Sequence, residues 1–176
     1  MDLSFWLIQG LGIVAWLVLV VSYYRKDTNR ILVFQVISTI LYCIHYFLLG
    51  AYSGLIICIF EVIRDSLYYK TDKDNIIFIV SAIVYIIGSI FTFETVLDLF
   101  PIAASLLDGY TLTKKKKIVV IGAIISYTLW VIYDLYVKSY SGAITDGIVV
   151  LSNISILLFQ FDLFKGKDTS RQFPNK

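Results

Sequence analysis

Apolar runs of about 20 residues follow one another along almost the whole chain and limit its fold more than any other feature. The sequence has 176 residues, of which 59% are hydrophobic and 16% are charged. An ordinary soluble domain carries about 25% charged residues, and one of this size could not bury so much apolar surface. Each run can cross a hydrocarbon core of roughly 30 Å as a helix. The sequence therefore predicts an all-α, polytopic membrane protein surrounded by a lipid bilayer.

Seven transmembrane helices can be drawn through these runs, with short connections between them. A polar tail, predicted to be cytoplasmic, follows at residues 165–176. The seven predicted spans are residues 3–23, 31–49, 51–69, 76–93, 95–112, 118–137 and 141–164.

The basic residues alternate between the two sides of the predicted membrane. Lysine and arginine accumulate in cytoplasmic loops, so they indicate the orientation of the chain. Among the residues between the spans, only Lys138 lies on the side opposite to the others. The pattern predicts an external N-terminus and a cytoplasmic C-terminus, and the net charge of +2 gives no reason to expect a nucleic-acid partner. The basic loop and tail residues are Arg25, Lys26, Arg30, Lys70, Lys73, Lys114, Lys115, Lys116, Lys117, Lys165, Lys167, Arg171 and Lys176.

An internal repeat relates the two halves of the chain. Residues 37–56 align without a gap to residues 125–144, a shift of 88 positions that gives eight identities. Three predicted spans precede the fourth and three follow it, so the fourth span restores the direction of the chain for the second unit. The repeat therefore predicts two parallel three-helix units, at residues 1–75 and 94–164, joined by a linker helix at residues 76–93 (a 3+1+3 layout). Parallel repeats of this kind place a substrate site near the bilayer midplane, at the repeat interface.

The third span carries three charged residues, Glu61, Arg64 and Asp65, on one helical face. Each charge costs about 2.5–3.5 kcal/mol near the centre of a span, so this face must turn toward the bundle interior or toward water. Two interpretations remain open. The three residues can form a local ion-pair set that holds helices together, or Glu61 can carry a proton coupled to transport.

Polar and aromatic side chains at helical spacing predict the wall of a ligand cavity. We expect Gln9, Tyr42, His45, Glu61, Trp130 and Asn153 to line it. For Asn153 a hydrogen bond between helices is an equally good interpretation, and for His45 a packing role competes with a proton relay. Asp134 and Asp146 are expected to join His45 in an outer vestibule.

Two positions suggest hinges for a rocking carrier. Pro101 lies inside the fifth span, where proline removes a backbone hydrogen bond and can kink a helix. Gly12 lies near the equivalent position of the first span and allows flexibility or close helix packing. Neither position requires such a motion, because both residue types are common in membrane helices.

The sequence carries no pattern that indicates an enzyme. It has no nucleophile motif and no glycine-rich phosphate loop, and its two cysteines and single histidine have no metal-site spacing. We therefore predict no catalytic residues, no metal and no cofactor.

The chain resembles the YgjV-type bacterial inner-membrane proteins over most of its length. This resemblance implies a multi-pass protein of the bacterial cytoplasmic (inner) membrane. The 3+1+3 layout is also similar to that of the SWEET, PQ-loop and PnuC-type transporters, although no Pro-Gln pair is present. The residues behind the first resemblance are Trp6-Leu-Ile-Gln9-Gly10-Leu-Gly12, His45-Tyr-Phe-Leu-Leu-Gly50, Arg64, Leu99-Phe-Pro101, Trp130-Val-Ile, Ser141-Gly142 and Asn153.

Together these features predict a protein that moves a small polar solute by alternating access between the two three-helix units. The alternative is a non-transporting integral membrane protein that binds a protein or lipid partner through the same groove. In that case the polar stripes hold helices together and have no ligand. The sequence is also compatible with a homo-oligomer.

Overall fold

A computed structural model describes residues 3–23, 28–70, 74–111 and 114–160, and nearly all of these residues are helical. The all-α class is confirmed, and the described ranges contain no strand. The predicted tail at residues 165–176 lies outside them. The α-helices in these ranges are α1 (Leu3–Tyr23), α2 (Thr28–Leu49), α3 (Tyr52–Lys70), α4 (Asp74–Thr92), α5 (Leu99–Thr111), α6 (Lys116–Tyr136) and α7 (Tyr140–Gln160).

Four of these helices, α1, α4, α6 and α7, are long and apolar enough to cross a membrane on their own. Helix α2 contributes a shorter apolar segment, Val33–Leu49. Helix α3 has charged residues at its centre, and α5 has only 13 residues, which at 1.5 Å per residue span about 20 Å. Seven complete crossings therefore stay a prediction.

The predicted continuous helix over residues 95–112 is wrong at its start. A 3₁₀ helix (Val96–Asp98) comes first, and α5 begins only at Leu99. The carboxylate of Asp98 accepts hydrogen bonds from the backbone N–H groups of Glu94 (3.0 Å) and Thr95 (2.7 Å). These bonds cap the 3₁₀ turn, so the chain enters α5 through a capped turn.

The burial pattern is the reverse of that of a soluble protein. Large apolar side chains face outward, and Phe91 of α4 and Phe159 of α7 are 81% and 84% exposed. Polar side chains lie inside, and His45 and Asp134 are both 0% exposed. Such an exterior is stable only in a hydrocarbon environment, because exposed apolar surface is unfavourable in water.

Each helix packs against the next along the chain, and two further contacts close the bundle. Helix α1 contacts α7, and α3 contacts α5. The main contacts of α4 are with α3 and α5, and its other faces expose isoleucines such as Ile83 and Ile90. Helix α4 therefore lies at the periphery.

The α2–α3 and α6–α7 turns have the same backbone geometry. Each contains a left-handed residue, Gly50 (φ 71°) in the first and Lys138 (φ 61°) in the second. These positions are equivalent in the internal repeat. In each turn the N–H of the next residue donates to the carbonyl five residues earlier, from Ala51 to Tyr46 (2.9 Å) and from Ser139 to Asp134 (2.8 Å). The two turns thus share a backbone conformation. Glycine adopts it without strain at Gly50, whereas the Cβ of Lys138 makes it strained in the second turn.

We expect the two turns to respond differently to substitution. Gly50→Ala introduces a Cβ into the left-handed region and should destabilise the protein by about 1 kcal/mol. Lys138→Gly relieves that strain, which should offset the greater freedom of glycine in the unfolded chain. Apparent melting temperatures in detergent would fall for the first variant and stay within a degree or two, or rise, for the second. An equal fall for both would contradict this account.

Candidate solute-binding cavity

A cavity of about 310 Å³ lies inside the bundle, between α2, α3, α6 and α7, with α1 and α5 completing its wall. This volume is at the lower end of the range for small-molecule sites, which runs from about 300 to 1,000 Å³. The polar and aromatic residues that line it include Tyr42, Glu61, Arg64, Ser126, Trp130 and Asp146.

The cavity is displaced toward one end of the bundle. Its lining includes Leu19 near the end of α1, Gln35 in the first half of α2, Ser66 near the end of α3 and Asp108 near the end of α5. Because successive helices run in opposite directions, these positions share one end. That end carries the connections after α1, α3 and α5.

Several residues that are equivalent in the internal repeat line the same cavity. Helices α2 and α6 contribute three such pairs, and α3 and α7 contribute two more. The members of most pairs differ in chemistry, so the two halves of the chain give the cavity different side chains. The pairs are Ser38 and Ser126, Thr39 and Tyr127, Tyr42 and Trp130, Cys58 and Asp146, and Glu61 and Val149.

Three of the six predicted cavity residues, Tyr42, Glu61 and Trp130, line the cavity. The Tyr42 hydroxyl is hydrogen-bonded to that of Thr145 on α7 (3.3 Å). The Trp130 ring stacks on that of Tyr46, with their centroids 6.0 Å apart. These contacts tie α2 to α6 and α7 across the cavity.

The charged residues of α3 bridge to α5. Arg64 is 2% exposed and pairs with the carboxylate of Asp108 (Nη2 to Oδ2, 3.0 Å). Its other terminal nitrogen, Nη1, donates to the carbonyl of Ser105 (2.8 Å), and the Ser105 hydroxyl donates to Glu61. The partner that the structure gives Arg64 is thus Asp108 on α5, which was not the predicted one. The predicted local set, in which Arg64 neutralises Glu61 and Asp65, stays a prediction. The side chain of Asp65 lies outside the described part of the chain, and proton coupling through Glu61 stays a prediction.

Gln9 does not line the cavity. Its side-chain amide donates to the carbonyl of Lys138 (2.9 Å) and accepts from the backbone N–H (2.8 Å) and the hydroxyl (3.1 Å) of Ser141. The N–H groups in the first turn of a helix have no partner within that helix. Gln9 of α1 thus caps the start of α7.

His45 also lies away from the cavity and is fully buried. Its Nδ1 is 2.9 Å from the carbonyl oxygen of Ile8, and its Nε2 is 2.9 Å from the hydroxyl of Ser139. A carbonyl only accepts hydrogen bonds, so Nδ1 donates, and in a neutral ring Nε2 accepts from Ser139. His45 fastens α2 to α1 and to the turn before α7.

Asn153 does not line the cavity either. Its side-chain Nδ2 donates to the carbonyl of Val149 (2.9 Å), one turn earlier on α7. This local bond is common for short polar side chains in helices. It is neither a cavity contact nor the predicted hydrogen bond between helices.

The two acids that were predicted to share an outer vestibule with His45, Asp134 and Asp146, have different surroundings. Asp134 is fully buried and accepts a hydrogen bond from the hydroxyl of Tyr46 (2.8 Å). Gly142 leaves space for this carboxylate, because a Cβ there would overlap it. Asp146 lines the cavity, whereas Asp134 is not among its lining residues. In the internal repeat Asp146 is equivalent to Cys58 of α3, which also lines the cavity.

Gly12 and Pro101 occupy positions where packing and helix initiation explain the residue type. A Cβ at Gly12 would approach the His45 ring to 3.1 Å and overlap Ser141. Pro101 is the third residue of α5, in the first turn, where a missing N–H removes no intrahelical bond. Their predicted hinge role stays a prediction. The described residues hold no group of three His, Cys, Asp or Glu side chains suited to a metal ion.

The contrast between Gln9 and Asn153 gives a stability test. Gln9→Leu leaves polar groups at the start of α7 without partners and should cost about 1–3 kcal/mol. Asn153→Leu removes only a bond within one helix and should change stability by less than about 0.5 kcal/mol. Melting temperatures in detergent would separate the two variants, and a larger loss for Asn153→Leu would contradict these assignments.

The Arg64–Asp108 pair gives a second test. Asp108→Leu leaves a buried guanidinium without its ion pair and should destabilise the protein by about 3–5 kcal/mol. Combining it with Arg64→Leu should cost less than the sum of the two single changes, because the pair acts as a unit. The measurement is a double-mutant cycle of melting temperatures, with Lys117→Ala at an exposed position as the control. Additive losses would show that the two charges do not interact.

Comparison with known proteins agrees with this picture of a membrane-embedded bundle. Residues 6–162 match the Imp-YgjV family, which is described as a bacterial inner membrane protein. The inner membrane protein YgjV of Escherichia coli (strain K12) is 23% identical over 160 residues, covering 89% of this chain and 86% of that protein. The phosphatidylinositol-glycan biosynthesis class W protein of Dictyostelium discoideum is 27% identical over 128 residues, covering 73% of this chain but 24% of that protein. No solved structure matches the chain. The chain belongs to the YgjV family of bacterial inner membrane proteins.

Proposed function

We propose that this protein moves a small polar solute across the inner membrane by alternating access between two three-helix units. Helices α1–α3 form one unit, α5–α7 form the other, and α4 links them. The observation that carries the proposal is the polar cavity, which is lined by repeat-equivalent residues within an apolar bundle. Polar side chains at membrane depth are costly and usually mark a solute or ion pathway.

The packing of the helices supports the two-unit arrangement. The contacts of α1 with α2 and of α2 with α3 have counterparts in those of α5 with α6 and of α6 with α7. The contact of α1 with α7 corresponds to that of α5 with α3 when the units are exchanged. These contacts are the ones expected of SWEET-like parallel repeats, in which access changes when one unit rocks against the other.

Hydrogen bonds at the end of the bundle away from the cavity support the proposal of a closed gate. There the side chains of Gln9 and His45 form hydrogen bonds between the units, and Gly54 of α3 donates its N–H to the hydroxyl of Tyr133 (2.9 Å). Tyr46, whose ring lines the cavity, adds a bond from its hydroxyl to Asp134. We propose that this polar network is the outer gate in its closed state. With the C-terminus in the cytoplasm, as the basic loops predict, the cavity lies on the cytoplasmic side.

This proposal assigns no enzymatic role. The name of the Dictyostelium relative refers to phosphatidylinositol-glycan biosynthesis, but the chain spans only 24% of that protein, and we do not transfer its activity. The alternative, a non-transporting protein that binds a protein or lipid partner, would need the polar network to be permanent. Accessibility of the cavity from both sides of the membrane separates the two functions.

The test uses a single cysteine in the cavity. Thr39 lines the cavity, and its hydroxyl donates to Gln35 on its own helix, so Thr39→Cys removes no contact between helices. The background carries Cys43→Ala and Cys58→Ala. A membrane-impermeant maleimide should label Thr39→Cys in both right-side-out and inverted vesicles, because each conformation opens the cavity to one side.

Ser155→Cys is the matched control. The Ser155 hydroxyl also bonds within its own helix, to Leu151, but Ser155 is exposed on the outer surface of α7. In lipid its thiol should react from neither side, because thiolate does not form in hydrocarbon. Labelling of Thr39→Cys from one side only, or from neither, would contradict alternating access and favour the non-transporting function.

A further inference from the structure

Two polar groups that line the cavity have no partner among the described residues. Ser126 is 1% exposed, and its hydroxyl oxygen makes no hydrogen bond within residues 3–23, 28–70, 74–111 and 114–160. Asp146 lies on the neighbouring helix α7, and none of the hydrogen bonds or ion pairs of the described part reaches its carboxylate. Buried polar groups are nearly always hydrogen-bonded. The buried Ser126 hydroxyl and the half-buried Asp146 carboxylate are therefore both available to a ligand in this cavity.

The charge of the cavity indicates the sign of that ligand. Three carboxylates line it, from Glu61, Asp108 and Asp146, and Arg64 is the single guanidinium or ammonium group among the described lining residues. Arg64 pairs with Asp108 on the α3–α5 side. With all three carboxylates ionised the lining is net negative, and α7, where Asp146 lies, contributes no cationic side chain to the described lining. An ionised carboxylate away from water needs such a partner.

The aromatic lining favours an organic cation over a metal ion. Tyr42, Tyr46 and Trp130 form a continuous stack, with centroids 6.5 Å apart for the two tyrosines and 6.0 Å apart for Tyr46 and Trp130. Asp146 lines the same cavity as the stack, and the Tyr42 hydroxyl is hydrogen-bonded to Thr145, the residue before Asp146. An ammonium group is attracted both to aromatic faces and to a carboxylate.

We propose that the cavity binds a small organic cation that also carries a hydroxyl or carbonyl group. Asp146 is the counter-ion of the ammonium group, Tyr42 and Trp130 contact its alkyl surface, and Ser126 bonds the polar group. This inference rests on the proposed function, since it names the solute class for the same cavity. The volume of about 310 Å³ limits the cation to a small molecule.

The test compares choline with its neutral isostere, 3,3-dimethylbutan-1-ol, on the purified full chain in detergent. Choline should raise the melting temperature in a concentration-dependent manner, because a ligand that binds the native state stabilises it. The neutral alcohol should give no shift at the same concentrations. Asp146→Asn should weaken choline binding at least tenfold, and Ser126→Ala should weaken it severalfold. Ser155→Ala, on the outer surface of α7, is the control and should bind as the wild type does.

Several outcomes would overturn the inference. They are equal stabilisation by the neutral alcohol, full choline binding by Asp146→Asn, stabilisation by sodium or potassium alone, and no shift with choline, tetramethylammonium or putrescine. Ser126→Ala keeps the test valid if Asp146→Asn does not fold, because unchanged choline binding in that variant also contradicts the site. If thiol labelling shows access from both sides while no cation binds, transport stands and the cation assignment fails. If choline binds but labelling is one-sided, the site stands and transport fails.

Discussion

The hydrocarbon around the molecule imposes the constraint on which the rest of the structure depends. Apolar side chains such as Phe91 and Phe159 can face outward at no cost, whereas polar side chains must find partners inside the bundle. His45, Arg64 and Asp134 are accordingly buried, and each makes a hydrogen bond or ion pair with another helix. Polar contacts between helices supply specificity here, because lipid offers little hydrophobic drive for helix association.

These polar contacts are distributed unevenly along the bundle. At one end Gln9 and His45 are bonded to the turn before α7, and Tyr46 is bonded to Asp134. Toward the other end the side chains separate and leave the cavity. A bundle that is sealed at one end and hollow toward the other has the asymmetry that an alternating-access protein needs. In the proposed rocking motion, the closed end would open and the open end would close.

Residue type alone did not separate cavity residues from structural ones. Tyr42, Glu61 and Trp130 line the cavity, but Gln9 and His45 belong to the other end of the bundle, and Asn153 bonds to its own helix. Helical spacing shows on which face of a helix a residue lies. It does not show how far along the membrane normal that residue lies relative to residues of the neighbouring helix. Asp146 and Ser126 were less prominent because a single acid and a serine are common in membrane helices. What makes them notable is the lack of a partner, and only tertiary structure reveals that.

The sequence by itself determined the all-α class, the approximate bounds of the helices and the equivalence of the α2–α3 and α6–α7 turns. These properties depend on local composition and on backbone geometry, which a sequence pattern records directly. The tertiary structure alone decided that Arg64 pairs with Asp108 on α5, that Gln9 caps α7 and that Asp146 faces the cavity. Each depends on the relative depth and rotation of two helices. Those are set by the packing of many side chains at once, so no single stretch of sequence contains them.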